Sequence, residues 1–226
     1  MRFPFLVYAA LSAVALVAGL VALPETGRVG VRTTLAGVRR VLMYPAVLAS
    51  AVATFALSFY YGTIEAFAPL LADQMSVRRI GIGLLFAVAG LPSIALPRFT
   101  GMLADRVGDT RLIIGGLIYA AALNAAFLPL VAALPLWAVF VMVGLVEVLI
   151  YVPAVAMLNR GMARDERVYA TSSHSYAFSA GFFFGPLIGG LLKPIGSYPL
   201  LFAMLTAVQV GAVVFLIAWR RRIEAR

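Results

Sequence analysis

The chain has 226 residues, of which 63% are hydrophobic and 12% are charged. Soluble domains carry about 25% charged residues, so this composition and a mean hydropathy of +1.02 predict an integral membrane protein. The lack of cysteine and the single histidine argue against disulfides, thiol catalysis and a metal centre. No phosphate-binding GxxxxGK[ST] motif occurs either. We therefore expect no enzyme activity, no cofactor and no metal.

Seven apolar segments lie between the charges and turn residues, and a helix needs about 20 apolar residues to cross the bilayer. They occupy residues 3–23, 45–70, 80–98, 112–131, 136–158, 169–192 and 198–219. Only helices and closed barrels satisfy the backbone in lipid, and no strand-like alternation is present. The predicted fold is therefore an all-α membrane bundle of seven spans. Pro135 marks the turn between spans four and five, where no charge separates them.

The basic residues predict how the spans are oriented. If the C-terminus is inside, fourteen of the eighteen basic residues fall on the cytoplasmic side, which places the N-terminus outside. The net charge of +9 is then a topology signal, and no nucleic-acid partner is needed to explain it. The predicted parts are a first helix, a cytoplasmic loop, a six-helix bundle and a basic cytoplasmic tail, at 1–23, 24–44, 45–219 and 220–226.

Span two carries a row of polar side chains on one predicted helix face. Spacings of four, four, three and four residues relate Ser50, Thr54, Ser58, Tyr61 and Glu65. A polar stripe on a membrane helix must face protein or a water-filled cavity. We therefore predict that the stripe contributes to a site for protons or substrate.

The segment between spans three and four is a predicted cytoplasmic loop that reads GMLADRVGDTR, residues 101–111. Gly101 and Gly108 permit tight turns. An acid such as Asp105 can cap a helix or pair with a base near a helix end. Taken alone, these residues also fit an ordinary polar hairpin whose charges face water.

This loop resembles the G-x-L-A-D-R-x-G-R-R signature of the major facilitator superfamily. It departs from the signature at Asp109 and Thr110, where bases are expected, and Arg111 supplies one base a position late. The resemblance implies a transporter in which the loop serves conformational gating rather than substrate contact. The residues concerned are Gly101, Asp105, Arg106, Gly108 and Arg111.

The family register implies that span one is helix six and that spans two to seven are helices seven to twelve. The resemblance covers the whole chain but only the second half of the family's fold. It therefore implies that a missing N-terminal half, upstream or on a second chain, is a partner.

Span six contains GFFFGPLIGG at residues 181–190, which resembles the G-x3-GP-x2-GG pattern of helix eleven in that family. Small residues at every fourth position permit close helix contact, and a proline kinks a helix. We expect packing and gating rather than binding from Gly181, Gly185, Pro186, Gly189 and Gly190.

Span five holds an acid, Glu147, whose nearest charged neighbour along the chain is Arg160. A charge in a membrane helix costs roughly 2.5–3.5 kcal/mol on insertion scales, so its presence suggests a function. Gly144 and Tyr151 flank it at helical spacing. Glu65 and Glu147 both occur as Gly-x-x-Glu with a proline downstream. The two spans are equivalent under the inverted repeats of such carriers, so the shared motif is either a relic of symmetry or chance.

The acids also sharpen the resemblance. IEAFAP resembles the L-E-P-x-L-P stretch of helix seven in vesicular amine transporters and related drug:proton antiporters, although Ala66 replaces the first proline. GLVE resembles the G-x-V-D of helix ten in that group. The resemblance implies proton coupling and recognition of cationic substrates, with Glu147 and Glu65 as the acids and Tyr151, Tyr61, Ser58 and Thr54 near them. The competing interpretation is a protonated glutamate that hydrogen-bonds between helices.

The only histidine, His174, lies in TSSHS at the start of span six. Histidine titrates near neutral pH when unperturbed. A histidine near a helix end is, however, more often interfacial than part of a proton relay. We therefore expect an interfacial position at the cytoplasmic mouth.

Together these features predict part of a secondary active transporter in a prokaryotic inner membrane. It would be an antiporter that drives efflux of a small lipophilic or cationic compound by inward proton flow. Its partners would be that substrate, protons, the lipid bilayer and the missing half. The alternatives are a non-transporting membrane remnant or interaction subunit, and a carrier of another substrate class. A retinal protein needs a lysine within a span, but the only lysine, Lys193, ends span six.

Overall fold

A computed structural model describes residues 3–22, 43–160 and 164–224, which are helical apart from short connections and contain no strand. The chain divides into two units, residues 1–32 and 33–226. The first contains helix α1 (Phe3–Ala22), a run of twenty residues with no charged side chain. The predicted loop at 24–44 lies almost wholly outside the described residues.

The second unit contains seven helical segments. They are α2 (Pro45–Gln74), α3 (Arg79–Ala95), α4 (Pro97–Val107), α5 (Asp109–Ala125), α6 (Phe127–Ala133), α7 (Leu136–Asn159) and α8 (Arg164–Glu224). The last is bent at Ser197, whose φ of 54° is not helical. It therefore has a first limb (Glu166–Ile195) and a second limb (Ser197–Arg220). The predicted basic tail at 220–226 continues the second limb as helix through Glu224.

The helices account for a multi-pass membrane protein. In the described part of the chain, five helices or limbs are long and apolar enough to cross a membrane, and two bent pairs raise the number to seven. Each predicted segment has one counterpart among these seven. The turn predicted at Pro135 is present, because α6 ends at Ala133 and α7 begins at Leu136.

Two of the spans are bent, which the hydropathy pattern did not predict. The third bends by 51° between α3 and α4, and the fourth by 65° between α5 and α6. The prediction that residues 99–111 form a loop is wrong for most of that segment, because α4 continues to Val107. Pro97 occupies the first turn of α4, where its missing N–H breaks no helical bond. Gly108, with a φ of 97°, ends the helix in a conformation that glycine favours.

Helix α2 lies at the centre of the second unit and packs against α7 and both limbs of α8. Its buried side chains include Leu57 and Tyr60, which join the interior formed with α5, α7 and the second limb. Gln209 on that limb donates a hydrogen bond of 3.0 Å to the Ala56 carbonyl oxygen. Large apolar side chains on the outer faces are exposed, as expected where helices meet lipid.

Close contact between α2 and the first limb depends on glycines. A Cβ at Gly181 would clash with Ser58, and one at Gly185 would clash with the Phe59 carbonyl oxygen. A Cβ at Gly189 would lie 2.7 Å from the Phe67 ring. Because these contacts involve backbone or buried side chains, α2 could not approach if these positions carried side chains. Gly190 faces open space instead.

Candidate functional site

Glu147 lies midway along α7 and joins three helices through one of its carboxylate oxygens. The Ser93 hydroxyl of α3 donates to its Oε2 at 2.6 Å, and the Tyr61 hydroxyl of α2 donates to the same oxygen at 3.1 Å. Oε1 receives no hydrogen bond from the described residues, and it is not among their buried unpartnered atoms. The carboxylate is therefore positioned by two donors while one oxygen stays accessible.

Gly144 explains how α3 comes close enough for Ser93 to reach the acid. A Cβ at Gly144 would clash with the Ala89 carbonyl oxygen of α3 and lie 3.2 Å from Cδ of Pro92. Gly144 and Glu147 are three residues apart and share a helix face, as do Ala89 and Ser93, four apart. The glycine contact and the Ser93–Glu147 hydrogen bond therefore lie one turn apart on the same helix pair.

The other Gly-x-x-Glu motif makes a similar packing contact on α2. A Cβ at Gly62 would lie 3.1 Å from Cδ of Pro186 in the first limb, so each motif glycine meets a proline-containing helix. Ser93 follows Pro92 in α3, whereas Leu187 follows Pro186 in the first limb. The Leu187 side chain cannot donate a hydrogen bond to an acid. Glu65 is exposed and has no side-chain hydrogen bond or ion pair within the described ranges. The two motifs share a packing contact but differ in how the acid is held.

Glu65 lies on the same side of α2 as Tyr61, one helical turn further along. It is close enough to Glu147 for the two negative charges to repel. The two predicted acids are therefore brought near each other, with Tyr61 between them, although only Glu147 is bonded.

The rest of the polar stripe lies nearer the N-terminus of α2 than Tyr61 and faces the protein interior. Thr54 and Ser50 are fully buried and lie 3.0 Å and 3.2 Å from Nδ1 of His174. The Ser50 hydroxyl also donates to the Ala154 carbonyl oxygen of α7 at 2.9 Å. Ser58 is buried and donates to the Thr54 carbonyl oxygen at 2.8 Å. The predicted single face is thus divided, since only its Tyr61 end reaches Glu147.

His174 is not interfacial, contrary to expectation, because it is only 6% exposed. Its ring lies in a tilted edge contact with Tyr151, with 5.5 Å between the ring centroids. Tyr151 is one helical turn from Glu147 on α7 and is itself partly exposed. His174 was assigned to the surface because it lies near the start of a predicted span. Helix α8 begins earlier, at Arg164, and the imidazole packs against Ser50 and Thr54 of α2 and Tyr151 of α7.

Arg160, at the end of α7, contacts one of the predicted gating residues, Asp105, and a second acid, Asp109, that was not among them. Its guanidinium contacts Asp105 of α4 and lies 3.2 Å from Asp109 Oδ2 of α5. The side chain of Asp105 is 65% exposed and that of Asp109 is 9% exposed. Arg106 and Arg111 are exposed on the same segment, and Gly101 has open space beside it. One arginine therefore links the ends of three helices.

Sequence reasoning missed Ser93 and Arg160 as site residues. A lone serine in an apolar span carries no motif, and Ser93 becomes visible only when α3 is packed on Gly144. Arg160 was counted only as a topology charge. Among the described residues, no group of three histidine, cysteine or acidic side chains could hold a metal ion.

Comparison with known proteins bears on the family. No curated protein matches the chain. The family model described as Major Facilitator Superfamily matches residues 48–226, which covers α2 to α8 and so most of the chain. The helical membrane architecture agrees with that match, and members of this family are transporters that act on small molecules. The chain therefore belongs to the major facilitator superfamily.

Proposed function

We propose that the chain is part of a proton-coupled exporter of small lipophilic or cationic compounds, with Glu147 as the coupling acid. The observation that supports this most is the bonding of its carboxylate. Two hydroxyls from α2 and α3 hold Oε2, while Oε1 receives no hydrogen bond from the described residues. A proton or a cationic group of a substrate can bind that oxygen, and each would exclude the other.

This competition gives a mechanism for coupling. A carboxylate inside a membrane protein is costly unless it is paired, so the empty carrier favours capture of either a cation or a proton. If substrate binds from the cytoplasmic side and a proton replaces it from the outside, return of the protonated carrier brings the proton inward.

The alternative is a structural glutamate that only bonds neighbouring helices, in a membrane remnant without transport activity. The oxygens of such a carboxyl are expected to be bonded within the bundle, because nearly all buried polar atoms have a hydrogen-bond partner. The accessible Oε1 of Glu147 favours the transport role.

The test is an efflux assay on the chain produced together with the N-terminal half proposed as its partner, whether that half is encoded upstream or on a second chain. The substrate search uses lipophilic cations in energised inside-out vesicles. Adding a transported compound should release protons stored in the lumen. Substrate movement without any proton movement would overturn the coupling proposal.

We further propose that the end of the bundle around Arg160 is cytoplasmic, since most basic residues fall on that side. The chain has no native cysteine, so single cysteines can report topology. In intact cells, Arg106→Cys, near the Arg160 end of the bundle, should resist an impermeant thiol reagent. Gln74→Cys, at the C-terminal end of α2 and therefore at the other end of the bundle, should react. Both positions are exposed, so membrane permeabilisation should make both react. Labelling of Arg106→Cys in sealed cells would reverse the orientation.

We propose a gating role for the contacts of Arg160 with Asp105 and Asp109. The Arg160–Asp105 pair is exposed, and an exposed ion pair contributes about 0.2–1 kcal/mol, which allows that contact to form and break within a transport cycle. Asp105→Asn in the protein produced with its proposed N-terminal half should lower the maximal transport rate several-fold while leaving substrate affinity nearly unchanged, because Asp105 does not contact Glu147. Rates and binding are measured separately in vesicles and by equilibrium binding. A large loss of affinity with normal turnover would contradict the role.

A further inference from the structure

His174 is a buried titratable side chain that the coupling mechanism above does not use. It lies among α2, α7 and the first limb of α8, between Glu147 and the Arg160 end. Its Nε2 atom is buried without a hydrogen-bond partner in the described part of the chain. A buried polar atom left unpaired costs about 1–3 kcal/mol. If His174 only linked helices, a residue without this unpaired nitrogen would do so at a lower cost.

The hydrogen bonds at the other ring nitrogen indicate where a proton would bind. The Ser50 hydroxyl donates its proton to the Ala154 carbonyl oxygen. At Nδ1 of His174, the Ser50 oxygen can therefore only accept a hydrogen bond. Thr54 can act as acceptor or donor at the same atom. This network places the ring proton on Nδ1, an assignment that follows from the partners. Nε2 then carries a lone pair.

Few described groups touch the ring. Tyr151 is the one titratable side chain in contact with it among the described residues, in a tilted edge contact with 5.5 Å between the ring centroids. Helix α2 contributes the hydroxyls of Ser50 and Thr54 at Nδ1. These hydroxyl oxygens would stabilise an imidazolium, because a hydrogen bond from a charged donor is stronger than one from a neutral donor.

We propose that His174 is a second proton-binding site of this transporter, filled through Nε2 when the surrounding helix ends separate and closed off when they pack as described. Hydronium transfers its proton to the Nε2 lone pair, an N–H bond forms, and water leaves. The resulting imidazolium keeps its Nδ1–H bond to the hydroxyls of α2. Its place in the cycle, as a proton donor or acceptor on the Arg160 side of Glu147, rests on the proposed coupling function. Its protonation does not.

The single histidine makes the test direct, because an isotope label in histidine reports His174 alone. The full chain is labelled with ¹³C and ¹⁵N histidine, placed in lipid bilayers and followed by solid-state NMR between about pH 5 and pH 8. We expect a neutral ring with its proton on Nδ1 at the upper end and an imidazolium at the lower end. A ring that stays in one state throughout would overturn the proposal.

Matched variants separate the proposed contacts from general disturbance. Thr54→Val removes a partner of Nδ1 and should change the tautomer signal, whereas Ser172→Ala should not, since Ser172 is exposed and bonds only its own helix. If His174 titrates but transport moves no protons, the proposed function fails and the binding site stands.

Discussion

Glu147→Gln should abolish uphill, proton-driven efflux while leaving the protein folded and inserted. Glutamine keeps the length of the side chain and still offers an oxygen to Tyr61 or Ser93, but it cannot bind and release a proton. The carrier then loses the competition that couples the two fluxes. Downhill exchange of substrate should survive, because it needs no proton. The measurements are uphill efflux and substrate exchange in vesicles, at matched protein levels.

Two related variants control this result. Glu147→Asp retains the titrating group but withdraws it by one methylene, so partial coupling should remain. Glu65→Gln should be milder than Glu147→Gln, because Glu65 is exposed and has no bonding partner among the described residues. Uphill pumping at the wild-type rate in Glu147→Gln would show that the carboxylate is structural.

Gly144→Ala should damage the same site without touching a polar atom. The added methyl group would overlap the Ala89 carbonyl oxygen, and overpacking of this kind costs about 1–3 kcal/mol. Helix α3 must move away, which carries Ser93 off Glu147 and removes a hydrogen bond to a charged group worth about 1.5–3 kcal/mol. We expect thermal destabilisation and a fall in coupled transport of about ten-fold or more, since 1.4 kcal/mol in a barrier is ten-fold in rate.

Gly90→Ala is the matched control, because Gly90 follows Ala89 on α3 but has nothing within 4 Å of an added Cβ. The same chemical change should then leave melting temperature and transport close to wild type. Ser93→Ala separates the two effects of Gly144→Ala, since it removes the hydrogen bond without overpacking. If Gly144→Ala melts and transports like Gly90→Ala, the close α3–α7 contact does not support the site.

Much of the fold was predictable because apolar length is a local property. The spans around Glu65 and Glu147 stand out by hydropathy, and a helix is the required form in lipid. The bends before Pro97 and at Ala126 were missed because hydropathy does not report direction. The stretch around Ala126 is apolar on each side of the break, so hydropathy summed over residues treats it as one continuous span. Helix α4 instead carries Arg98, Asp105 and Arg106, so the predicted span ended near its start and the rest was predicted as a loop.

The site was predictable as a set of residue types but not as an arrangement. Glu147 and Tyr61 were found because a charge or a polar stripe in lipid is unusual. Ser93 was not, because its role depends on which helix packs against Gly144. The polar side chains of the stripe on α2 were expected to form one site, but other helices pack against α2 on two sides. One part therefore meets Glu147 and the other meets His174.

The bend in the fourth span has a consequence for the surrounding lipid. Helix α5 has 17 residues and is about 25 Å long at 1.5 Å per residue, whereas the hydrocarbon layer is about 30 Å thick. The following α6, FLPLVAA, is wholly apolar and turns by 65°, so its seven residues add only about 4 Å of depth to α5. The bent pair then just matches the hydrocarbon layer and has no spare length for a thicker bilayer, in which local thinning costs fractions of a kcal/mol per ångström. Transport should therefore slow as acyl chains lengthen.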